Sequence, residues 1–157
     1  MARETFAWEP NPGPQATLVD CPADEIFYGG SRGGGKTDGM LGKAALKSKK
    51  YGKDFIGVFF RKSREDLKEA LERSRQIYSQ MDQDAQNYQG HSYTDLFFEE
   101  LTNWADPAPI NKLRATLRSG AGVPCQFHAT GNPGGPGHNW VKERYIIPAP
   151  MGWKPIV

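Results

Sequence analysis

The sequence predicts an α/β fold, a three-layer sandwich in which helices cover both faces of a mainly parallel sheet. Three observations predict it: apolar segments of strand length recur along the chain, helical segments separate them, and a glycine-rich turn follows the first of them. The predicted strands are residues 25–28, 55–60, 93–98 and 123–130. Strands that alternate with helices pair in parallel, because a parallel connection needs a crossover, which a helix supplies.

Composition and charge fit one globular domain. The chain has 157 residues, of which 38% are apolar and 24% charged, so it can bury one core. A net charge of +2 is too small to indicate nucleic-acid binding by itself. Cys21 and Cys125 form no CxxC pattern, so we expect free thiols. We also expect a cytoplasmic protein outside any membrane, because no segment looks like a secretion signal or approaches the roughly 18 apolar residues of a membrane span.

The helical segments are predicted from periodicity and from residues typical of helix ends. The first, residues 36–51, follows the glycine-rich turn, and Gly52 stands where a C-terminal cap would end it. The second begins after Ser63, whose hydroxyl is expected to cap it, and continues for about four turns. Residues 110–119 predict a third helix, and residues 140–147 fit either a short helix or a strand.

The glycine-rich turn matches the full phosphate-loop pattern G-x-x-x-x-G-K-[ST]. Its residues are Gly30, Ser31, Arg32, Gly33, Gly34, Gly35, Lys36 and Thr37. Glycines let backbone N–H groups turn toward phosphate oxygens, and the following helix adds positive charge at its N-terminus. Lys36 is expected to reach the β- and γ-phosphates, and Thr37 to bind Mg²⁺. The strand before the turn and the helix after it disfavour a chance glycine-rich turn, so the pattern predicts a P-loop NTPase fold that binds nucleotide.

Two acids, Glu99 and Glu100, end the third apolar segment. An apolar strand that ends in two acids is the Walker B arrangement that accompanies a phosphate loop. The first acid is expected to hold Mg²⁺ through water, and the second to orient or deprotonate the attacking water. A pair of solvated acids at a strand end is the alternative, which the complete phosphate loop disfavours.

The fourth apolar segment runs into Thr130, Gly131 and Asn132, which a loop rich in proline and glycine follows. Ligands bind at the carboxyl ends of parallel strands, so Thr130 and Asn132 are expected close to a γ-phosphate. An amide there can sense whether that phosphate is present. An ordinary Asn-Pro-Gly turn is the alternative.

Several segments together resemble one family, the large subunits of phage terminases. The segments are GGSRGGGKT, YQGHSYT, FFEELTNW, LRATLRS and ATGNPGGPGHNWVKERYI, and the resemblance covers residues 12–147. These enzymes use ATP to package double-stranded DNA into preformed capsids. The resemblance implies ATP and Mg²⁺ as cofactors, and a location at the procapsid portal in the bacterial host cytoplasm. It also implies double-stranded DNA, the portal protein and the terminase small subunit as partners, and a homo-oligomeric ring.

The resemblance assigns roles to single residues. Gln15 matches a glutamine that reads adenine, which its amide donor and acceptor suit; a solvated loop residue is the alternative. Arg32 matches an arginine that can act as a finger in cis on the γ-phosphate, and a phosphate-positioning or exposed arginine is the alternative. Glu99 and Glu100 match the Walker B pair, and residues 130–132 match the motif that couples hydrolysis to movement.

Three departures from the family bear on the domain boundaries. The first Walker B acid is usually Asp, whereas this chain has Glu99. A strand or hairpin that relatives carry is missing near residues 79–88, so the ATPase domain, residues 25–147, is expected to be shortened. An irregular segment, residues 1–24, is expected before it, and a Pro-rich tail, residues 148–157, stands where the family continues into a nuclease domain. No nuclease activity is therefore expected from this chain.

Two other functions stay open. A truncated terminase remnant would bind nucleotide weakly or not at all. Another P-loop enzyme, such as a helicase or a small-molecule kinase, would share the phosphate loop, but the EELTNW and ATGNPGG segments disfavour it.

Basic residues outside the motifs have two interpretations, contact with DNA phosphates or a solvated helix face. Arg114 and Arg118 lie four residues apart on one predicted helix face. A second group follows the phosphate loop and consists of Lys43, Lys47, Lys49, Lys50 and Lys53.

Overall fold

The computed structural model describes residues 8–78 and 92–147. Within these ranges the strands are β1 (Glu25–Gly29), β2 (Gly57–Phe60), β3 (Asp95–Phe98) and β4 (Gln126–Gly131). The helices are α1 (Pro14–Asp20), α2 (Lys36–Tyr51), α3 (Arg64–Tyr78), α4 (Ala108–Arg114) and α5 (His138–Tyr145). Short 3₁₀ turns, Gly52–Asp54 and Leu101–Asn103, follow α2 and β3. The predicted α/β class is confirmed.

The four strands form one sheet in the order β1-β4-β3-β2. Every neighbouring pair is parallel, which confirms the predicted orientation. Tyr28 pairs with Thr130, and Phe60 pairs with Phe98. The carboxyl ends of the strands therefore lie along one edge. On this edge β4 separates β1, which leads into the glycine-rich turn, from β3, which leads into the two glutamates.

Helices cover both faces of the sheet. One face packs against α1 and α2 in a cluster of Leu18, Ile26, Tyr28, Met40, Ala44 and Phe97. The other face packs against α4 and α5, with a core of Leu96, Phe98, Leu101, Ile110, Phe127, Ala129, Val141 and Tyr145. The chain leaves β1 toward the first face and leaves β4 toward the second. These two strands thus border a switch point, where ligands bind in open parallel sheets.

The N-terminal region corrects one prediction. Residues 1–24 are predicted to be irregular, but Pro14–Asp20 form α1. Proline is tolerated at the first helical position, because an N–H there would have no partner within the helix. Gly13, with a φ of 96°, provides the change of direction before the helix, and Leu18 is buried in the core.

The strands begin later than predicted. β2 begins at Gly57, β3 at Asp95 and β4 at Gln126, where residues 55, 93 and 123 are expected. Pro124 has no backbone N–H for a ladder, so regular pairing of β4 starts beyond it. Apolar runs mark where strands lie, whereas the partner strands decide where pairing begins.

The helices agree with prediction in place but not always in length. α2 spans the predicted residues. Residues 140–147, which fitted either a helix or a strand, lie mostly within the helix α5. Ser63 Oγ accepts a hydrogen bond from Glu65 N at 3.2 Å, as its predicted role as a cap requires. α4 ends at Arg114, before the predicted 119. Beyond it, Arg118 N donates to Tyr93 O at 3.0 Å, which draws the chain toward the sheet.

The lysines after the glycine-rich turn do not form one surface. Lys43 Nζ donates to Leu18 O at 2.9 Å and to Cys21 O at 3.0 Å. Lys47 Nζ donates to Asp95 Oδ1 at 2.6 Å, and both lysines are buried. DNA contact and a solvated face are therefore both wrong for these two. The exposed members of the group are Lys49, Lys50 and Lys53.

Arg114 and Arg118, the two basic residues predicted to share a helix face, also bind within the chain. Arg114 Nη2 pairs with Glu25 Oε2 at 2.5 Å, and Arg118 Nε donates to Ser92 Oγ at 3.1 Å. Arg144, on α5, pairs with Glu25 Oε1 at 3.0 Å. Glu25, the first residue of β1, thereby binds the last turns of both α4 and α5.

Two predictions fall on residues outside the described ranges, namely the shortening near residues 79–88 and the Pro-rich tail at 148–157. Among residues 8–78 and 92–147, no helix combines the length and apolar character that a membrane crossing requires.

Gly137, directly before α5, is expected to tolerate no side chain. A Cβ atom there would lie 2.1 Å from Trp104 O and 2.8 Å from Trp140 Nε1. Gly137→Ala should therefore lower the free energy of unfolding by about 1–3 kcal/mol, measured by urea denaturation. Gly120→Ala is the control, with no atom within 4 Å of its Cβ and an expected change below about 0.5 kcal/mol. Equal stability of the two variants would contradict this packing.

Candidate functional site

The glycine-rich turn adopts a conformation that requires glycine at several positions. Gly30, Gly33 and Gly35 have φ values of 136°, 82° and 66°, a region that residues with a Cβ atom rarely adopt. Lys36 Nζ donates to Ser31 O at 2.6 Å and to Gly30 O at 3.3 Å. Its ammonium group therefore lies against the turn.

Lys36 also interacts electrostatically with Glu100, the second of the two acids that follow β3. Burial lowers the pKa of Lys36, and the carboxylate of Glu100 acts in the opposite direction. The two side chains are 64 residues apart in the chain, and the sheet brings them to the same edge.

Two buried side chains support the turn from below. Tyr28 Oη donates to Gly34 O at 3.1 Å. Gln15 Nε2 donates to Gly35 O at 2.8 Å, and Gln15 Oε1 accepts from Asn11 N at 2.8 Å. Gln15 is only 3% exposed, so it is not the solvated loop residue of the alternative. In this structure its amide joins α1 to the start of α2, and its reading of adenine stays a prediction.

Glu99 is almost fully buried at the end of β3, with 2% of its surface exposed. Burial raises the pKa of Glu99, and interactions with Thr37 and Arg61 act to lower it. Arg61 Nε lies 2.6 Å from Glu99 Oε2 as an ion pair. Glu99 Oε1 is buried and has no hydrogen-bond partner among the described residues. A desolvated carboxylate oxygen without a partner is a costly arrangement that a cation would relieve.

The residues around Glu99 fit Mg²⁺. Magnesium prefers oxygen ligands and is usually held by one or two protein side chains together with water and substrate phosphates. The hydroxyl of Thr37 and the carboxylate of Glu99 provide such oxygens at the mouth of the turn. The described residues contain no cluster of three or more His, Cys, Asp or Glu side chains that could hold a metal.

Arg61 is a site residue that cannot be identified from the sequence alone. It follows the last residue of β2, Phe60, which pairs with Phe98 of β3. Arg61 and Glu99 are therefore the next residues on adjacent parallel strands. The segments FFRK and FFEE place an arginine and a glutamate directly after two apolar strands. They indicate an ion pair only when the two strands are known to be neighbours in this register.

Glu100 has a left-handed backbone, with φ 52° and ψ 53°. It is the only non-glycine residue with positive φ in the part of the chain that the structure describes. Glu100 N donates to Thr130 Oγ1 at 3.2 Å, and Asn103 Nδ2 donates to Glu100 Oε2 at 2.8 Å. A conformation of this kind costs energy and persists only where its surroundings hold it. The fold therefore directs Glu100 away from the path of β3 and fixes it beside the end of β4.

The end of β4 lies between the glycine-rich turn and the two acids. Thr130 is buried and accepts the hydrogen bond from Glu100 N. Asn132 O accepts a hydrogen bond from Thr102 Oγ1 at 3.0 Å. Asn132 Oδ1 is buried and has no hydrogen-bond partner among the described residues. A Cβ atom on Gly131 would lie 3.0 Å from the ring of Phe27, so this position leaves little room for a side chain.

The predicted site residues divide into two groups. The sheet brings together the turn, the two acids and the end of β4, which include Lys36, Thr37, Glu99, Glu100 and Thr130. Arg32 lies exposed on the turn, and Gln15 lies beneath it. A site of this kind can bind an anion at the turn, a cation at Glu99 and a water molecule at Glu100. Comparison with protein-family models, with curated proteins and with solved structures finds no match.

Proposed function

We propose that this chain is an ATP hydrolase with a P-loop NTPase fold, the ATPase domain of a DNA-packaging motor of the phage terminase large-subunit type. The observation that carries the proposal is the buried Glu99 carboxylate beside Thr37 at the mouth of a complete phosphate loop. A chance glycine-rich turn would have no reason to meet a desolvated carboxylate from a strand that is not its neighbour in the sheet.

The phosphate loop is the feature that supports nucleotide binding. Backbone N–H groups of residues 30–37 surround the phosphates, and the N-terminus of α2 adds positive charge. Lys36 exchanges its contacts with loop carbonyls for the β- and γ-phosphate oxygens. Thr37 and, through water, Glu99 would hold Mg²⁺, which would supply positive charge against the phosphates. By the resemblance, Gln15 is the candidate for contact with adenine.

Glu100, the acid next to Glu99, is the residue that supports hydrolysis. Glu100 accepts a proton from a water molecule, and the water oxygen forms a bond to the γ-phosphorus. The bond to the β-phosphate oxygen breaks in line with it, which gives ADP and phosphate. Lys36 offsets the charge on the transferring phosphoryl group. Arg32, exposed on the loop, is the candidate finger in cis.

Movement would start at the end of β4. Thr130 contacts Glu100, and residues 131–132 continue from Thr130 toward α5. Loss of the γ-phosphate beside Glu100 would therefore change the position of this segment. By the resemblance, that movement drives double-stranded DNA through a ring of subunits at the procapsid portal in the host cytoplasm. The portal protein and the terminase small subunit would be its partners.

Steady-state hydrolysis of Mg-ATP by the wild-type chain, with and without double-stranded DNA, tests the proposal. We expect phosphate release that needs Mg²⁺ and rises when DNA is added. Lys36→Ala should lower it by at least about 100-fold, because the ammonium that offsets the phosphoryl charge is lost. Lys53→Ala, which removes an exposed lysine near the end of α2, should leave it unchanged.

Each outcome favours a different function. A folded wild-type chain that binds ATP weakly and hydrolyses none would favour the remnant over the motor. A hydrolysis rate that does not change when DNA is added would support the ATPase activity, but it would count against a motor role for this chain alone. Phosphate transfer to a small acceptor would indicate a kinase.

A further inference from the structure

Asn103 contacts the side chain that the proposed reaction uses as its base. Asn103 Nδ2 donates a hydrogen bond to Glu100 Oε2 at 2.8 Å, across three residues of chain. Both side chains are partly buried at the carboxyl edge of the sheet. The bond leaves Glu100 Oε1 as the oxygen available to a water molecule.

Asn103 is itself held in place by its neighbours. Its backbone N donates to Glu100 O at 2.9 Å, which closes the turn. Its backbone O accepts a hydrogen bond from Lys62 Nζ at 2.9 Å. Thr102, the residue before it, donates to Asn132 O and accepts from Gly137 N. The amide that reaches Glu100 therefore projects from a fixed segment.

The side-chain bond is not needed to form the turn. The backbone bond between Asn103 N and Glu100 O closes the turn by itself, and any residue except proline provides it. What the amide adds is a donor on one carboxylate oxygen. A glutamate without such a partner samples several rotamers, and a base is effective only when it is within hydrogen-bond reach of the water.

We propose that Asn103 is a positioning residue for Glu100, one that holds the carboxylate so that its second oxygen faces the attacking water. The inference rests on the proposed ATPase function, in which Glu100 is the base. It gives a role to the segment LTNW, which follows the two acids and to which no other role is assigned.

Two substitutions of Asn103 test the role. Asn103→Asp keeps the shape of the side chain but replaces the donor with a carboxylate oxygen that repels Glu100. Asn103→Ala removes the donor without adding charge. Asn139→Asp is the matched control, because Asn139 is exposed on α5. Circular dichroism and thermal unfolding establish that each variant is folded before its activity is measured.

A positioning role predicts a split between turnover and binding. We expect kcat to fall by about 10- to 100-fold in both Asn103 variants. KM for Mg-ATP and the Kd for Mg-ADP should stay within about threefold of the wild type. The complex of ADP with fluoroaluminate, which mimics the transferring phosphoryl group with its water, should bind at least about tenfold more weakly. Asn139→Asp should match the wild type in every measurement.

Other outcomes overturn the assignment. If kcat of both Asn103 variants stays within about twofold of the wild type, the amide does not position the base. If kcat, KM and thermal stability all change together, the side chain supports the structure and not Glu100. A folded wild-type chain that neither hydrolyses ATP nor binds ADP–fluoroaluminate would overturn the proposed function, and the role of Asn103 with it. An active wild type beside equally active variants would overturn the role of Asn103 alone.

Discussion

Exchange of Glu100 for glutamine is expected to slow Mg-ATP hydrolysis by about 100- to 1000-fold while nucleotide binding stays within about threefold of the wild type. Glutamine has the shape of glutamate but cannot accept a proton from water. Glu100 Oε2 accepts a hydrogen bond from Asn103 Nδ2 at 2.8 Å, and the amide oxygen of glutamine can accept the same bond. The substitution therefore removes the base and keeps the position of the side chain.

Phosphate release at saturating Mg-ATP measures the first effect, and titration with a fluorescent ATP analogue measures the second. Glu143→Gln is the matched control, because Glu143 is exposed on α5, and it should turn over at the wild-type rate. Hydrolysis by Glu100→Gln within about threefold of the wild type would mean that Glu100 is not the base. The other acid, Glu99, would then be the first candidate for that role.

The parts of the site that could be predicted from the sequence are encoded by short segments. The phosphate-loop pattern occupies eight consecutive residues, 30–37, and its geometry follows from glycines at fixed spacing. Glu99 and Glu100 could be predicted in the same way, because they end an apolar run. Neither inference needs the order of the strands, so the α/β class and the placing of these residues at strand ends follow from local pattern alone.

Arg61 could not be predicted, because its role depends on register. Its contact with Glu99 requires that β2 pair with β3 and that Phe60 lie beside Phe98. Nothing in the local sequence specifies which strands are neighbours. Asn103 could not be predicted for a different reason, because its contact with Glu100 depends on the left-handed backbone at Glu100, which the sequence does not indicate.

Gln15 could be predicted as a site residue, whereas the helix that carries it and its contact with Gly35 could not. The sequence singles it out through a resemblance, but its helix, α1, begins at a proline that suggests an irregular segment. Its contact with Gly35 joins residues 20 apart. Hydrogen bonds across such separations arise from packing, which a pattern within one segment cannot report.

Lys43 and Lys47 contradict the rule that lysines lie on the surface. Their spacing of four places them on one face of α2, and Met40 and Ala44 of that face are buried. The spacing is therefore compatible with burial. Their acceptors, which include Leu18 O and Asp95 Oδ1, lie 25 and 48 residues away in the chain. The sequence does not show those acceptors, so an exposed lysine is the better expectation from the sequence.

Lys47→Met is expected to lower the free energy of unfolding by about 3–5 kcal/mol, because it leaves the buried carboxylate of Asp95 without its cation. Asp95 is fully buried, and its Oδ1 lies 2.6 Å from Lys47 Nζ. His128 Nε2 lies 2.8 Å from the same oxygen, but burial lowers the pKa of His128 to about 4. At pH 7 the imidazole is neutral, so it donates a hydrogen bond and brings no charge.

The loss is expected to be a large share of the total stability, since a typical domain has about 5–15 kcal/mol. Urea denaturation measures it, with Lys49→Met as the matched control. Lys49 lies on the same helix and is exposed, so its change should stay within about 0.5 kcal/mol. A loss below about 1 kcal/mol for Lys47→Met would mean that the buried pair contributes little to the folded state.

The double variant Lys47→Met with Asp95→Leu distinguishes the effect of the ion pair on stability from its effect on the position of β3. With both charges removed, no buried ion is left unpaired, so the double variant should be more stable than Lys47→Met alone. The pair joins α2, which begins beside Thr37, to β3, which ends before Glu99. If the folded double variant hydrolyses ATP as the wild type does, the pair serves stability alone. If it folds but turns over slowly, the pair also fixes the position of β3 that sets Glu99 beside Thr37.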